Sequence, residues 1–143
     1  MKIVIAADHG GYDIKEAIKA SLSEKGHEFT DLGTDNGETS VDYPVFAKAL
    51  CKVVTDGKAE LGILCCGTGI GMSIVANKQK GIRAAVLSDA FSAEMTRRHN
   101  NSNVLCLGGR VVNSEKAVEL AELFVNTPFE GGRHQRRVDM IEG

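Results

Sequence analysis

Residues 2–7, 61–65, 83–87 and 104–107 form apolar runs that lack the period-2 alternation of a half-exposed strand. Short runs of this kind predict strands buried on both faces, and residues 28–32 give a weaker fifth. Between them, apolar positions recur at helical spacing: Ile14, Ala17, Ile18 and Leu22; Phe46, Ala49, Leu50 and Val53; Phe91 and Met95; Val118, Leu120, Ala121 and Val125. A further helix is expected from about Met72. Strands and helices thus alternate along the chain, which predicts a mainly parallel five-stranded sheet with right-handed crossovers and helices on both faces. The expectation is a single open doubly wound, Rossmann-like α/β domain over residues 1–143, with no repeat or linker.

Such sheets hold ligands beyond the carboxyl ends of their strands. The residues there are Asp8-His9-Gly10-Gly11, then Cys66-Gly67-Thr68-Gly69-Ile70-Gly71, then Ser88-Asp89, then Gly108-Gly109-Arg110. The second group is the most telling, because a buried strand delivers a thiol to the mouth of a glycine-rich turn. Without a Cβ, such a turn can present consecutive N–H groups to an anion. The N-terminus of a following helix favours both an anion and a thiolate. Ser88 and Asp89 read first as helix N-caps. Asp8 and His9 read equally as caps or as chemistry.

His99 closes a predicted helix, where a histidine can serve only as a dipole partner. In Gly131-Gly132-Arg133-His134-Gln135-Arg136-Arg137, two arginines fall four apart. That segment is either a solvated basic tail or a phosphate clamp.

Composition narrows the partners. With 17 Lys and Arg against 19 Asp and Glu, the net charge of −2 gives no electrostatic reason to expect nucleic acid or a membrane surface, so a small molecule is the expected ligand. The apolar start is too short for a signal peptide and no stretch could span a bilayer, so a cytoplasmic protein is expected. Cys51, Cys65, Cys66 and Cys106 are then read as reduced thiols, Cys51 and Cys106 as packing residues. Their spacing suggests no metal site. A dinucleotide-binding module is the main rival, since Asp89 lies about twenty residues beyond the turn, but the glycine spacing departs from that fingerprint. A redox pair of Cys65 and Cys66 is disfavoured, because neighbours on one strand point to opposite faces.

Asp8-His9-Gly10-Gly11 with Lys15, Asp42-Tyr43-Pro44, Cys66 to Gly71, Arg97 to Asn100, Asn103-Val104 and Gly131 to His134 together resemble the type B ribose-5-phosphate isomerases, end to end. The one departure noticed is Ile14, where leucine is commoner. The resemblance implies an aldose–ketose isomerase acting through an enediolate, with no metal or cofactor. It implies Cys66 as the base that moves the proton between C2 and C1. The amides of Gly67, Gly69, Ile70 and Gly71 would hold the oxyanion, and Thr68 would carry protons at oxygen. It assigns ring opening to His99 with Asp8, and hydroxyl binding to Tyr43 and Asn100. Phosphate would be held by His9, Arg110, Arg133, His134 and Arg137. The tail, about residues 127–143, would reach a neighbouring subunit of a homodimer or dimer of dimers. Isomerases of allose or galactose 6-phosphate belong to the same family, so the sugar stays open, and a nucleotide- or phosphate-binding module is the non-enzyme alternative.

Overall fold

The computed structural model describes residues 1–143 as β1 (Lys2–Ala7), α1 (Tyr12–Ser23), β2 (Glu28–Asp31), α2 (Tyr43–Thr55), β3 (Leu61–Cys66), α3 (Ile70–Asn77), β4 (Ala84–Val86), α4 (Ala90–Asn100), β5 (Val104–Gly108), α5 (Ser114–Asn126) and α6 (Arg133–Glu142). The strands form one parallel sheet in the order β2-β1-β3-β5-β4. This is the expected doubly wound α/β architecture.

Alternation along each strand divides the core into two layers. Ile3, Ile5, Ala7, Ile63, Cys65, Leu105 and Leu107 face Ile14, Ile18 and Leu22 of α1 and Leu120 and Phe124 of α5. Val4, Ala6, Leu64, Cys66 and Cys106 face Leu50 and Cys51 of α2 and Met72 and Ala76 of α3. Burying each large aliphatic side chain contributes about 1.5–3 kcal/mol, so both faces of the sheet are strongly held. At Gly62 a Cβ would come within 2.6 Å of Leu50, so α2 lies nearly on the β3 backbone.

Two expected apolar stripes shift. On α2 the buried positions are Ala47, Leu50 and Cys51, with Ala49 exposed. On α4 they are Ala93 and Thr96, while Phe91 is 70% exposed. Helical spacing is satisfied by several phases, and tertiary packing chooses among them. The edge strand β4 is shorter than expected, 84–86, and α3 begins at Ile70 instead of about Met72. Gly69, in the left-handed region at φ 81°, is its N-cap.

Lys15 is 1% exposed, yet its amine is paired. Its Nζ donates to Asp31 Oδ2 at 2.7 Å and to Glu16 Oε1 at 3.1 Å, and lies 5.2 Å from the Tyr12 ring centroid. The Asp31 carboxyl, which burial alone would raise, is held below its ordinary pKa by hydrogen bonds from Lys15 and Lys19 and from the Gly33 N–H. A depressed carboxylate pKa adds stability above its ordinary value that is lost as pH falls through the folded value. Lys15→Met is therefore expected to lower unfolding stability by about 1.5–3 kcal/mol at pH 7. Urea unfolding across pH should show the gap to the parent chain closing on acidification, as Asp31 protonates.

Candidate active site

The connections leaving the carboxyl ends of β1, β3 and β5 touch one another through backbone. A Cβ on Gly10 would lie 3.0 Å from the Gly67 nitrogen, one on Gly11 2.2 Å from the Cys65 carbonyl carbon, and one on Gly109 2.2 Å from the Gly10 carbonyl oxygen. Gly109 N–H donates to Cys66 O at 2.8 Å and Arg110 N–H to Gly67 O at 2.9 Å. The crossover from β1 runs toward β2 while that from β3 runs toward β4, so the cluster occupies the switch point of the sheet, where a crevice is expected.

Cys66 ends β3 on the α2–α3 side, and its Sγ accepts the Gly69 N–H at 3.1 Å. Cys65 points into the opposite layer, where burial raises its thiol far above the ordinary range. Burial likewise pushes Cys51 up to about 11 and Cys106 well above its usual value. All four cysteines are free thiols. Iodoacetamide at pH 8 should alkylate Cys66 first in the native protein, the other three reacting only after denaturation. Tandem mass spectrometry across the Cys65–Cys66 peptide would resolve the two neighbours.

The turn does not offer all its amides. Ile70 N–H donates to Thr68 Oγ1 at 3.2 Å and Gly69 N–H to Cys66, whereas Gly67, Thr68 and Gly71 N–H have no partner within the chain. Those free donors lie in the turn between Cys66 and the positive end of α3. Asp8, 7% exposed, accepts Gly10 N–H at 2.9 Å and Gly11 N–H at 3.2 Å through Oδ1. It therefore braces the first turn.

His9 Nδ1 accepts Val41 N–H at 3.2 Å, so in the neutral ring Nε2 carries the proton and can donate outward. The Tyr43 ring lies against Gly71, where a Cβ would come within 2.6 Å of it, and the Arg110 guanidinium lies beside Gly67. Thus Asp8, His9, Tyr43, Cys66 to Gly71 and Arg110 are brought together. Asp89 is an N-cap, accepting Ser92 N–H at 2.9 Å, and Ser88 is not.

The other candidates lie elsewhere. Helix α4 starts at the carboxyl edge beside β4 and ends where the chain turns into Val104 at the amino edge. His99 and Asn100 are in its last turn. Gly62 pairs with Val104 and Cys66 with Gly108, so the two edges are separated by four strand residues, about 13 Å. Helix α6 packs on α4. His134 stacks on His99 with ring centroids 4.3 Å apart and planes inclined by 12°. Burial, then the neighbouring His99 and Arg133, lowers the His134 pKa. Arg133 and Arg137 stand four apart on α6, as anticipated for a helix there, and neither they nor Arg110 pair with a carboxylate.

Glu130 was not among the sequence candidates. Its Oε1 lies 3.4 Å from His134 Nε2. The i, i+4 spacing pointed to it only weakly, because Glu130 precedes the helix that carries His134.

Fold and site together define an α/β enzyme with a thiol and an amide-lined turn at a topological switch point. No helix is long and apolar enough to cross a membrane. The family model described as Ribose/Galactose Isomerase matches residues 3–141. Ribose-5-phosphate isomerase B of Escherichia coli is 46% identical over 140 residues, covering 98% of this chain and 93% of that protein. The Clostridium thermocellum ribose-5-phosphate isomerase B structure superposes with a TM-score of 0.96 at 46% identity, covering 99% of this chain and 95% of that one. A Mycoplasma genitalium ribose-5-phosphate isomerase B solved with bound ribulose-5-phosphate gives a TM-score of 0.93 at 42% identity, covering 99% and 93%. The chain belongs to the ribose/galactose isomerase family, as a sugar-phosphate isomerase of the ribose-5-phosphate isomerase B type.

Proposed function

We propose that the chain interconverts ribose 5-phosphate and ribulose 5-phosphate, with Cys66 as the proton carrier. The observation that carries this reading is the Cys66 sulfur, held by the Gly69 N–H among the free amides of Gly67, Thr68 and Gly71. As thiolate, Cys66 takes the C2 proton of the open aldose, and the electron pair moves to give the enediolate. The free amides stabilise the developing oxyanion, and the Thr68 hydroxyl moves the proton between O1 and O2. Return of the proton from Cys66 to C1 gives the ketose. Fixed amides of this kind need no reorganisation during the reaction, which is their advantage over water.

The phosphate is taken by Nε2–H of His9 and by Arg110. Arg133, His134 and Arg137, together with His99, which opens the ring with Asp8, and Asn100, come from the tail and α4 of a second copy. The support is topological, since these groups sit at the opposite sheet edge from Cys66 within one chain. Ile70, Ile74, Val86 and Phe91, exposed by 53, 55, 41 and 70%, lie on α3, β4 and the start of α4 and give an apolar face for that second copy. Val86 also abuts the turn, 3.1 Å from where a Gly69 Cβ would stand.

A coupled assay in the presence of chelator tests the reaction. Turnover of ribose 5-phosphate above allose and galactose 6-phosphates in kcat/KM is the expected outcome; no turnover of any of the three would overturn it.

A further inference from the structure

Glu130 has no part in the proton transfers just described, yet it faces both imidazoles at the end of α4. One ring nitrogen each of His99 and His134 and one carboxylate oxygen of Glu130 lie within 4.8 Å of one another. His134 is only 6% exposed, and its Nε2, 3.4 Å from Glu130 Oε1, makes no hydrogen bond. A buried polar atom left without a partner points to a ligand. Glu130 is itself held in place, its N–H donating to Arg98 O at 3.1 Å.

We propose that His99, Glu130 and His134 form a binding site for a divalent transition-metal ion, with Zn2+ the best match. Two imidazole nitrogens and one carboxylate oxygen are a donor set that tetrahedral zinc accepts with a fourth position open to water. Imidazole donors argue against Mg2+ and Ca2+, which prefer oxygen. Zinc–nitrogen bonds of about 2.0–2.1 Å require donors about 3.3 Å apart, so the group must close by about 1.5 Å at most. The half-buried His99 and the 41% exposed side chain of Glu130 can turn to do so. The rings must also leave their stack, because in-plane lone pairs of parallel rings do not converge. Arg98 Nη1, 3.8 Å from Glu130 Oε2, and Arg133 and Arg137 on α6 oppose a cation, so micromolar affinity is expected. Binding removes the His99 imidazole from ring opening and so inhibits; that consequence rests on the function proposed above, whereas the binding does not.

Cobalt(II) titration of the reduced full-length chain reads the site directly. The visible bands of four-coordinate cobalt should appear in the parent and in Cys66→Ala, be displaced by Zn2+, and weaken at least about tenfold in affinity in Glu130→Gln and His134→Asn. Glu130→Gln should keep the parent's uninhibited turnover and need at least about ten times more Zn2+ for half-inhibition. Absent bands, bands lost in Cys66→Ala, or unchanged affinity in Glu130→Gln would overturn the site. Cobalt binding of the expected strength with unimpaired turnover would uphold the site and remove His99 from ring opening instead.

Discussion

Replacing Cys66 by alanine is expected to lower isomerisation by about 10²–10⁴-fold, the range that a positioned proton-transfer group supplies. The same variant should bind a non-isomerising sugar phosphate, such as ribitol 5-phosphate, with nearly the parent's affinity, since His9 and Arg110 and the free amides of the turn remain. Stability should fall by only about 1 kcal/mol, because one sulfur is lost from the packing against Met72 and Ala76. Deuterium exchange at C2 isolates the step: in heavy water it should stop in Cys66→Ala and continue in Cys65→Ala. Cys65 is completely buried on the other face of the strand and reaches no ligand. Exchange that survived the loss of Cys66 and failed with Cys65 would reverse the assignment.

The sheet and its rim were legible in the chain because buried parallel strands write themselves as unbroken apolar runs, and the groups that matter follow immediately after them. Asp8, His9, Cys66 and Arg110 were all placed at strand ends by this rule alone. Helix phase was less legible. Ala49 and Phe91 fit a 3.6-residue period but are solvent-facing, since the period does not say which of two adjacent stripes meets the sheet. The sequence places the start of α3 two residues late, because Gly71 reads as turn. Its missing Cβ instead makes room for the Tyr43 ring within the first helical turn.

The separation of Cys66 from His99 within one chain follows from the alternation of strands and helices, although no motif records it. A helix connecting two parallel strands carries the chain from one sheet edge back to the other, so a residue at its carboxyl end faces away from the crevice of its own sheet. Glu130 is different: it follows the last strand, and His134 beside it is brought to α4 only by the fold of the tail, which no periodicity encodes.

That separation leads to the second large effect. If Cys66 and His99 of different copies share each site, Cys66→Ala and His99→Asn are each nearly inactive alone and should complement each other when mixed. The His99→Asn chain contributes an intact Cys66, and the Cys66→Ala chain contributes an intact His99. In an equimolar mixture that reassorts freely, about half the dimers are mixed, and each holds one complete site and one doubly defective site. About a quarter of the parent activity should therefore return, a rise of at least tenfold over either variant if each has lost about 10²-fold. Mild denaturation and refolding of the mixture ensures exchange, and size-exclusion chromatography with light scattering verifies the dimer. A mixture no more active than the average of its two components would place both groups in one chain's site. That would contradict the opposite-edge placement of α4's carboxyl end. Assaying a substrate locked in the open form extends the argument: His99→Asn should then recover activity without a partner, because only ring opening depends on the imidazole, while Cys66→Ala should not.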